Sequence, residues 1–316
     1  MSSEEEIQKV LQRLAESEQL INFHTPIKIT PDLKTYLNYY RFNIENVDYH
    51  FGKIEIDATK VMVQMFSPEQ SIGTVILLHG YLDHVGILKN IIQHLIDHQY
   101  RVISYDLLGH GLSEGEKASV NSFSDYVLTL EKLMKKTRRE ISGPFYGIGH
   151  STGGAILINY VLKLEEFHFD KVILIAPLIR SNFWLFSKVS YYLMKPFPFI
   201  KEIRRHFREN SSDEQFLDFI KNDPLQSKAI PINWLHSLIH WNKEIQTYNP
   251  TNKKTLLIQG TKDKTVEWEY NLNFIKKRFP NLHITLINNG RHQLFNEKPE
   301  IRDEVFRNIV SFLIST

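Results

Sequence analysis

Apolar and polar residues follow two rhythms along this chain, and the change from one to the other marks out most of its elements. Ile7, Val10, Leu11 and Leu14 share one helical face, opened by a Ser3 and Glu6 capping-box pattern. Residues 22–48 carry Phe23, Tyr36, Tyr39, Tyr40 and Phe42 without a clear period and read as an irregular extension lying on the main domain. From Tyr49 the alternation becomes strand-like, and segments 53–56 and 61–66, separated by turn residues 57–60, predict a hairpin. Segment 74–78 is a continuous apolar run, as expected of a strand buried on both faces in a mostly parallel sheet.

Beyond it, helices are expected over about 85–97 and 122–136, with a strand over 101–105 between them. Strands follow at 145–149 and 171–175, then at 255–259 and 283–287, with helices over 155–162, 267–278 and 300–313. This repeat predicts an α/β fold, a mostly parallel, doubly wound sheet. Between Pro177 and Thr255 no strand is visible, and so long a connection is improbable as bare loop, so a largely helical insertion is expected there. The boundaries that follow are an extension over 1–48, a core over 49–177 and 247–316, and a lid over 178–246.

The stretch Gly149-His150-Ser151-Thr152-Gly153-Gly154 lies between an apolar strand and an apolar helix. Strand, Gly-x-Ser-x-Gly, helix is the signature of a nucleophile elbow, in which small residues let strand and helix close around a strained serine. For such a serine to attack a carbonyl, an imidazole must take its proton, and a carboxylate must fix the tautomer of that imidazole. His292, just after the last strand, is the candidate base, and Asp263, after the strand before it, the candidate acid, with Glu267 in reserve. The developing oxyanion needs two donors, expected from the backbone N–H groups of Tyr81 and Thr152. His79 and His84 lack further ligand-type residues at metal spacing, and segment 106–115 has neither a phosphate-loop ending nor a dinucleotide fingerprint. No cofactor and no metal are therefore expected.

Composition narrows the classes further. Charge is nearly balanced, 38 Lys and Arg against 36 Asp and Glu, which gives no reason to expect a nucleic-acid partner. The absence of cysteine removes disulfides, thiolate metal sites and a cysteine nucleophile together. The start of the chain is acidic and lacks the pattern of a secretory signal, and no apolar run reaches membrane-span length, so a soluble, cytoplasmic protein is expected.

Together, His79-Gly80-Tyr81-Leu82-Asp83-His84, the 106–115 segment, the elbow, Asn222-Asp223-Pro224-Leu225 and the Asp263 and His292 loops resemble the α/β-hydrolase superfamily. Within it they are most similar to the monoacylglycerol lipase and bacterial lysophospholipase group. The resemblance implies an α/β-hydrolase fold with Ser151 as nucleophile, Asp263 and His292 completing the triad, Tyr81 and Thr152 supplying the oxyanion N–H groups, and a lid over an acyl pocket. Thr152, where the group usually has Met, and Tyr81-Leu82-Asp83, in place of a smaller sequence, bear on substrate choice. The first fifty residues lie outside the resemblance.

The expected function is hydrolysis of the acyl ester of a monoacyl lipid, a lysophospholipid or a monoacylglycerol, through an acyl-enzyme. A small-ester carboxylesterase or a peptidase of the same fold is the alternative, and a non-catalytic binding protein is the competing class. The lid run Phe183 to Phe199 is strongly aromatic, and Lys201, Arg204, Arg205 and Arg208 follow it at a spacing that would share one helical face. Transient, peripheral contact of the lid with a membrane surface is the corresponding expectation. An ordinary lid with buried aromatics and solvated charges is the alternative.

Overall fold

A computed structural model of the chain describes residues 3–164, 168–197 and 199–315. Helix α1 (Ser3–Glu16) buries Ile7, Val10, Leu11 and Leu14 as its periodicity requires. The Ser3 side chain, and with it the expected capping box, lies outside the described residues. Helix α2 (Pro31–Tyr39) corrects the expectation of an irregular extension. Its start signal is local: the Thr30 side chain accepts the Leu33 N–H, and Pro31 sits in the first turn. Leu33, Tyr36, Leu37 and Tyr40 are all buried, an i, i+3, i+4 stripe hidden among the other aromatics.

Strands β1 (Val47–Ile56) and β2 (Thr59–Pro68) form the hairpin, paired antiparallel around Asp57, whose φ is 53°. The turn is tighter than the four residues expected. Next come β3 (Gly73–Leu78), a 3₁₀ turn (Val85–Leu88), α3 (Lys89–Asp97), β4 (Tyr100–Tyr105) and α4 (Phe123–Glu140). The helix expected from residue 85 thus opens as 3₁₀. A capping box of Ser122 and Asp125 starts α4. After β5 (Phe145–His150), α5 (Thr152–Lys163) and β6 (Lys171–Ile175) comes the insertion, made of α6 (Trp184–Met194), β7 (Glu202–Arg204), α7 (Glu214–Asn222), β8 (Ala229–Pro231) and α8 (Ile232–Glu244). Strand β9 (Thr255–Gly260), α9 (Trp268–Arg278), β10 (Leu282–Ile287) and α10 (Pro299–Ile314) complete the chain.

The expectation of an insertion without strands is corrected, since β7 and β8 pair antiparallel as a small ribbon. Lys201, Arg204, Arg205 and Arg208 consequently do not share a helical face. They lie on β7 and the irregular backbone around it.

The main sheet has eight strands in the order β1-β2-β4-β3-β5-β6-β9-β10, antiparallel at β1/β2 and β2/β4 and parallel thereafter. Successive side chains of β3 point to opposite faces, so Ile76 and Leu78 join one core with α4, α5 and α9, while Val75 and Leu77 join a second with α3 and α10. Helices α1 and α2 pack into the second core. Burial of Leu33 and Leu37 contributes about 1.5–3 kcal/mol each toward fixing the extension there. Strand β5 lies inside the parallel part, between β3 and β6, and the loops at the carboxyl ends of β3, β5 and β9 open on one side of the sheet.

Candidate active site

Ser151 caps α5 at φ 50° and ψ −111°, a strained conformation for a residue with a side chain, costing on the order of 1–3 kcal/mol. The surroundings hold it there. Its N–H donates to Ile175 O at 2.9 Å, and its carbonyl accepts the N–H groups of Ala155 and Leu178, each at 3.0 Å. Close packing of α5 on the sheet requires glycine beside it: a Cβ on Gly153 would stand 2.4 Å from Leu78 O.

His292 Nε2 lies 3.0 Å from Ser151 Oγ, and His292 Nδ1 lies 2.8 Å from Asp263 Oδ2. An ionised carboxylate only accepts, so Nδ1 carries the proton and Nε2 is left to accept from the serine hydroxyl. Burial pushes the Asp263 carboxyl up. His292, the Thr265 N–H and Gln259 outweigh burial and hold it below the usual carboxylate range. The Asp263 and His292 loops meet because β9 and β10 are parallel neighbours, with Gly260 opposite Ile287. Glu267, the reserve acid, is engaged elsewhere: its Oε1 accepts the Trp184 N–H at 3.1 Å, at the start of α6.

Thr152 is the first residue of α5, where backbone N–H groups have no partner within the helix. Tyr81 follows Gly80, and a Cβ on Gly80 would lie 3.2 Å from Ser151 Cβ, so this loop runs directly beside the elbow. The phenol hydroxyl of Tyr81 donates to Ala118 O at 2.7 Å, and its ring stacks on Trp234 of α8 with centroids 3.6 Å apart. His79 anchors the strand end of the loop. Its Nε2 accepts the Leu107 N–H at 2.9 Å, and its Nδ1 donates to Gly80 O at 2.7 Å. Burial, then His110 beside it, lowers the His79 pKa to about 3, so the ring is neutral. Both its nitrogens are thereby spent within the protein. Among the described residues no group of three His, Cys, Asp or Glu side chains is placed to hold a metal ion.

A second layer was not singled out from sequence. His150 Nε2 donates to the carbonyl of His292 at 3.0 Å, and its Nδ1 stands 3.7 Å from Asp83 Oδ2, beyond hydrogen-bond reach. Gln293 Nε2 donates to the same Asp83 oxygen at 3.0 Å. Burial pushes the Asp83 carboxyl up, but His150 and Gln293 outweigh it and leave the pKa at about 2. The one available signal was adjacency, since His150 and Gln293 are the chain neighbours of Ser151 and His292.

A doubly wound sheet that carries its strained serine on the turn after β5 defines the chain as an α/β-hydrolase. Residues 69–299 match the Hydrolase_4 family, described as serine aminopeptidase, S33, and the chain belongs to that family. Among curated relatives, human monoglyceride lipase is 25% identical over 246 residues, covering 74% of this chain and 80% of its own. A probable lysophospholipase L2 of Haemophilus influenzae is 21% identical over 280 residues, covering 79% and 86%. The crystal structure of a soluble variant of Saccharomyces cerevisiae monoglyceride lipase, in complex with a substrate analog, superimposes with a TM-score of 0.72 at 20% identity, over 83% of this chain and 94% of that one. The chain is a hydrolase enzyme, and no helix among its described residues is long and apolar enough to cross a membrane.

Proposed function

We propose that this hydrolase cleaves the acyl ester of a monoacyl lipid, a lysophospholipid or a monoacylglycerol, through an acyl-enzyme on Ser151. The observation that carries the chemistry is the relay of Ser151, His292 and Asp263 at 3.0 and 2.8 Å on a strained elbow. In this reading His292 takes the serine proton as Oγ attacks the carbonyl, then passes it to the leaving alcohol. The Tyr81 and Thr152 N–H groups receive the oxyanion. Water activated by the same imidazole then releases the fatty acid.

The substrate side is supported by the names of the relatives and by the surface of the lid. Leu185, Phe186 and Leu193 of α6 and Phe199 beyond it are 68–76% exposed, far more apolar surface on one element than solvation favours. Among the aromatics of this run, Trp184 and Tyr191 are the ones buried. Lys188 and Lys195 lie within this run of the chain, and Lys201 and Arg204 follow it. Aromatic and aliphatic side chains beside basic ones suit a bilayer interface, and transient docking of the lid on a membrane belongs to the same proposal.

The family description favours a second reading, a peptidase of the same fold. One panel separates the two: initial rates on a monoacylglycerol, a lysophospholipid, a short p-nitrophenyl ester and an aminoacyl arylamide, for wild type and Ser151→Ala. Turnover confined to the lipids and esters, lost about 10³-fold or more in Ser151→Ala, is the expected result. Preference for the arylamide would replace the lipid reading, and full activity in Ser151→Ala would remove Ser151 from the chemistry.

A further inference from the structure

The chain holds a second buried aspartate and histidine pair. His84 Nε2 lies 2.7 Å from Asp223 Oδ2, with both side chains wholly buried. The Tyr40 hydroxyl donates to the other Asp223 oxygen at 2.9 Å, and its ring packs edge-on against His84 with centroids 5.0 Å apart. The Leu225 N–H donates to that same oxygen at 3.0 Å. These three side chains come from three separate parts of the chain: the extension after α2, the loop after β3, and the lid after α7. Tyr40 also lies ahead of the 69–299 family match, so a part of the chain outside that match supplies it. Groups taken fully out of water are expensive to bury, and none of these three takes part in the relay of Ser151.

Their arrangement has a directional logic. The Asp223 carboxylate only accepts, so His84 carries its proton on Nε2, and Nδ1 is free to accept the Gly86 N–H at 3.1 Å. That bond caps the 3₁₀ turn at its second residue, while Asp106 Oδ1 holds the first, accepting the Val85 N–H at 2.7 Å. Three residues upstream on the same short loop is Tyr81. Between them the chain closes a turn, Asp83 N–H to Gly80 O at 3.2 Å, with Leu82 at φ 65°. A left-handed leucine costs roughly 1–2 kcal/mol, so the loop keeps this shape only if both ends are held. His79 holds the strand end, and His84 holds the other.

We propose that Tyr40, Asp223 and His84 form a positioning relay that fixes the Gly80–His84 loop, and through it the Tyr81 N–H, so that extension and lid are working parts of the active site. The proposal rests on the reading of the chain as a serine hydrolase with Tyr81 N–H as an oxyanion donor. In it, Asp223 orients His84 much as Asp263 orients His292, but the output is backbone geometry rather than proton transfer.

The test uses the full-length protein and the variants Tyr40→Phe, Asp223→Asn and their double. It measures kcat and KM on a soluble short ester and the affinity for a trifluoromethyl ketone, which forms an oxyanion adduct on an activated serine. Loss of the Tyr40 hydroxyl should lower kcat about 3- to 10-fold and weaken the ketone by the same factor, with KM within about twofold. Asp223→Asn should do so about 10- to 100-fold, and the double variant no more than Asp223→Asn, because both act through one contact. A purely structural role would lower the melting temperature and leave kcat and ketone affinity of the folded protein alone. Values of both within twofold of wild type in folded Tyr40→Phe, or a rise in KM without a change in kcat, would overturn the proposal. Tyr40→Phe removes one oxygen and decides the matter even if Asp223→Asn does not fold. Wild type that neither turns over ester nor binds the ketone would overturn the hydrolase reading, and the positioning relay with it.

Discussion

Two carboxylates near Ser151 have different tasks, and their surroundings show why. Asp263 spends Oδ2 on His292 and Gln259, and Oδ1 on the Thr265 and Val266 N–H groups, four donors that suit the orienting role proposed for it. Asp263→Asn replaces an acceptor by a group that also donates and allows the wrong imidazole tautomer. A loss of kcat of about 10³-fold or more is expected with a nearly unchanged melting temperature, while Glu267→Gln stays near wild type. Steady-state rates beside thermal melts of both variants check this. Asp83 is expected to act on stability instead. Its pKa in the folded protein is about 2, against roughly 3.9 for an unperturbed aspartate. A depressed pKa contributes stability that is complete above the unfolded value and is lost as pH falls through the folded one, here between about pH 4 and 2. The melting-temperature gap between wild type and Asp83→Asn should therefore narrow over that interval. A gap that stays constant from pH 6 to pH 2 would show that Asp83 is not ionised in the folded protein.

At the level of elements, α6 is the anomaly. A helix in a globular core shows one apolar stripe, yet α6 buries Trp184 and Tyr191 and leaves Leu185, Phe186 and Leu193 facing solvent. Replacing these three by Ser should cost little stability, since they are already in water. It should reduce co-sedimentation with anionic vesicles severalfold, each side chain contributing on the order of 1.5 kcal/mol or more on insertion. Glu at Lys201 and Arg204 should weaken binding at low salt and have little effect at high salt. Arg205 is left out of that variant because its Nη1 donates to Gln226 Oε1 at 2.6 Å and its guanidinium lies over the Phe207 ring. Equal sedimentation of wild type and the Ser variant would remove the docking role of α6.

For the whole molecule, the extension is part of the second core rather than an attachment. Tyr36 and Tyr40 are at most 1% exposed, the Tyr36 hydroxyl accepts from Gln64 Nε2 at 2.8 Å, and backbone bonds join residues 19 and 21 to Lys53. A chain beginning at Val47 would uncover the face that includes Met62, Phe66 and Tyr49. It should be recovered mainly as aggregate, with any soluble fraction lacking cooperative unfolding. A soluble truncated protein that melts as wild type does would show that the core is complete without the extension.

What sequence alone determined were the features with a local cause. The hairpin, the alternation of strand and helix and the elbow are visible because periodicity, turn residues and the Gly-x-Ser-x-Gly pattern act over a few neighbouring residues. Even α2 was within reach, through Thr30-Pro31 and the stripe of Leu33, Tyr36, Leu37 and Tyr40. The ribbon of β7 and β8 was not, because three-residue strands 25 or more positions apart carry no period of their own. The bond between His84 and Asp223 spans 139 residues, and that between Tyr40 and Asp223 spans 183. Nothing in the residues flanking either partner names the other. Such pairings, like the exposure of α6, exist only once the sheet, lid and extension are packed, because burial and long-range hydrogen bonding are properties of the folded arrangement and not of any segment.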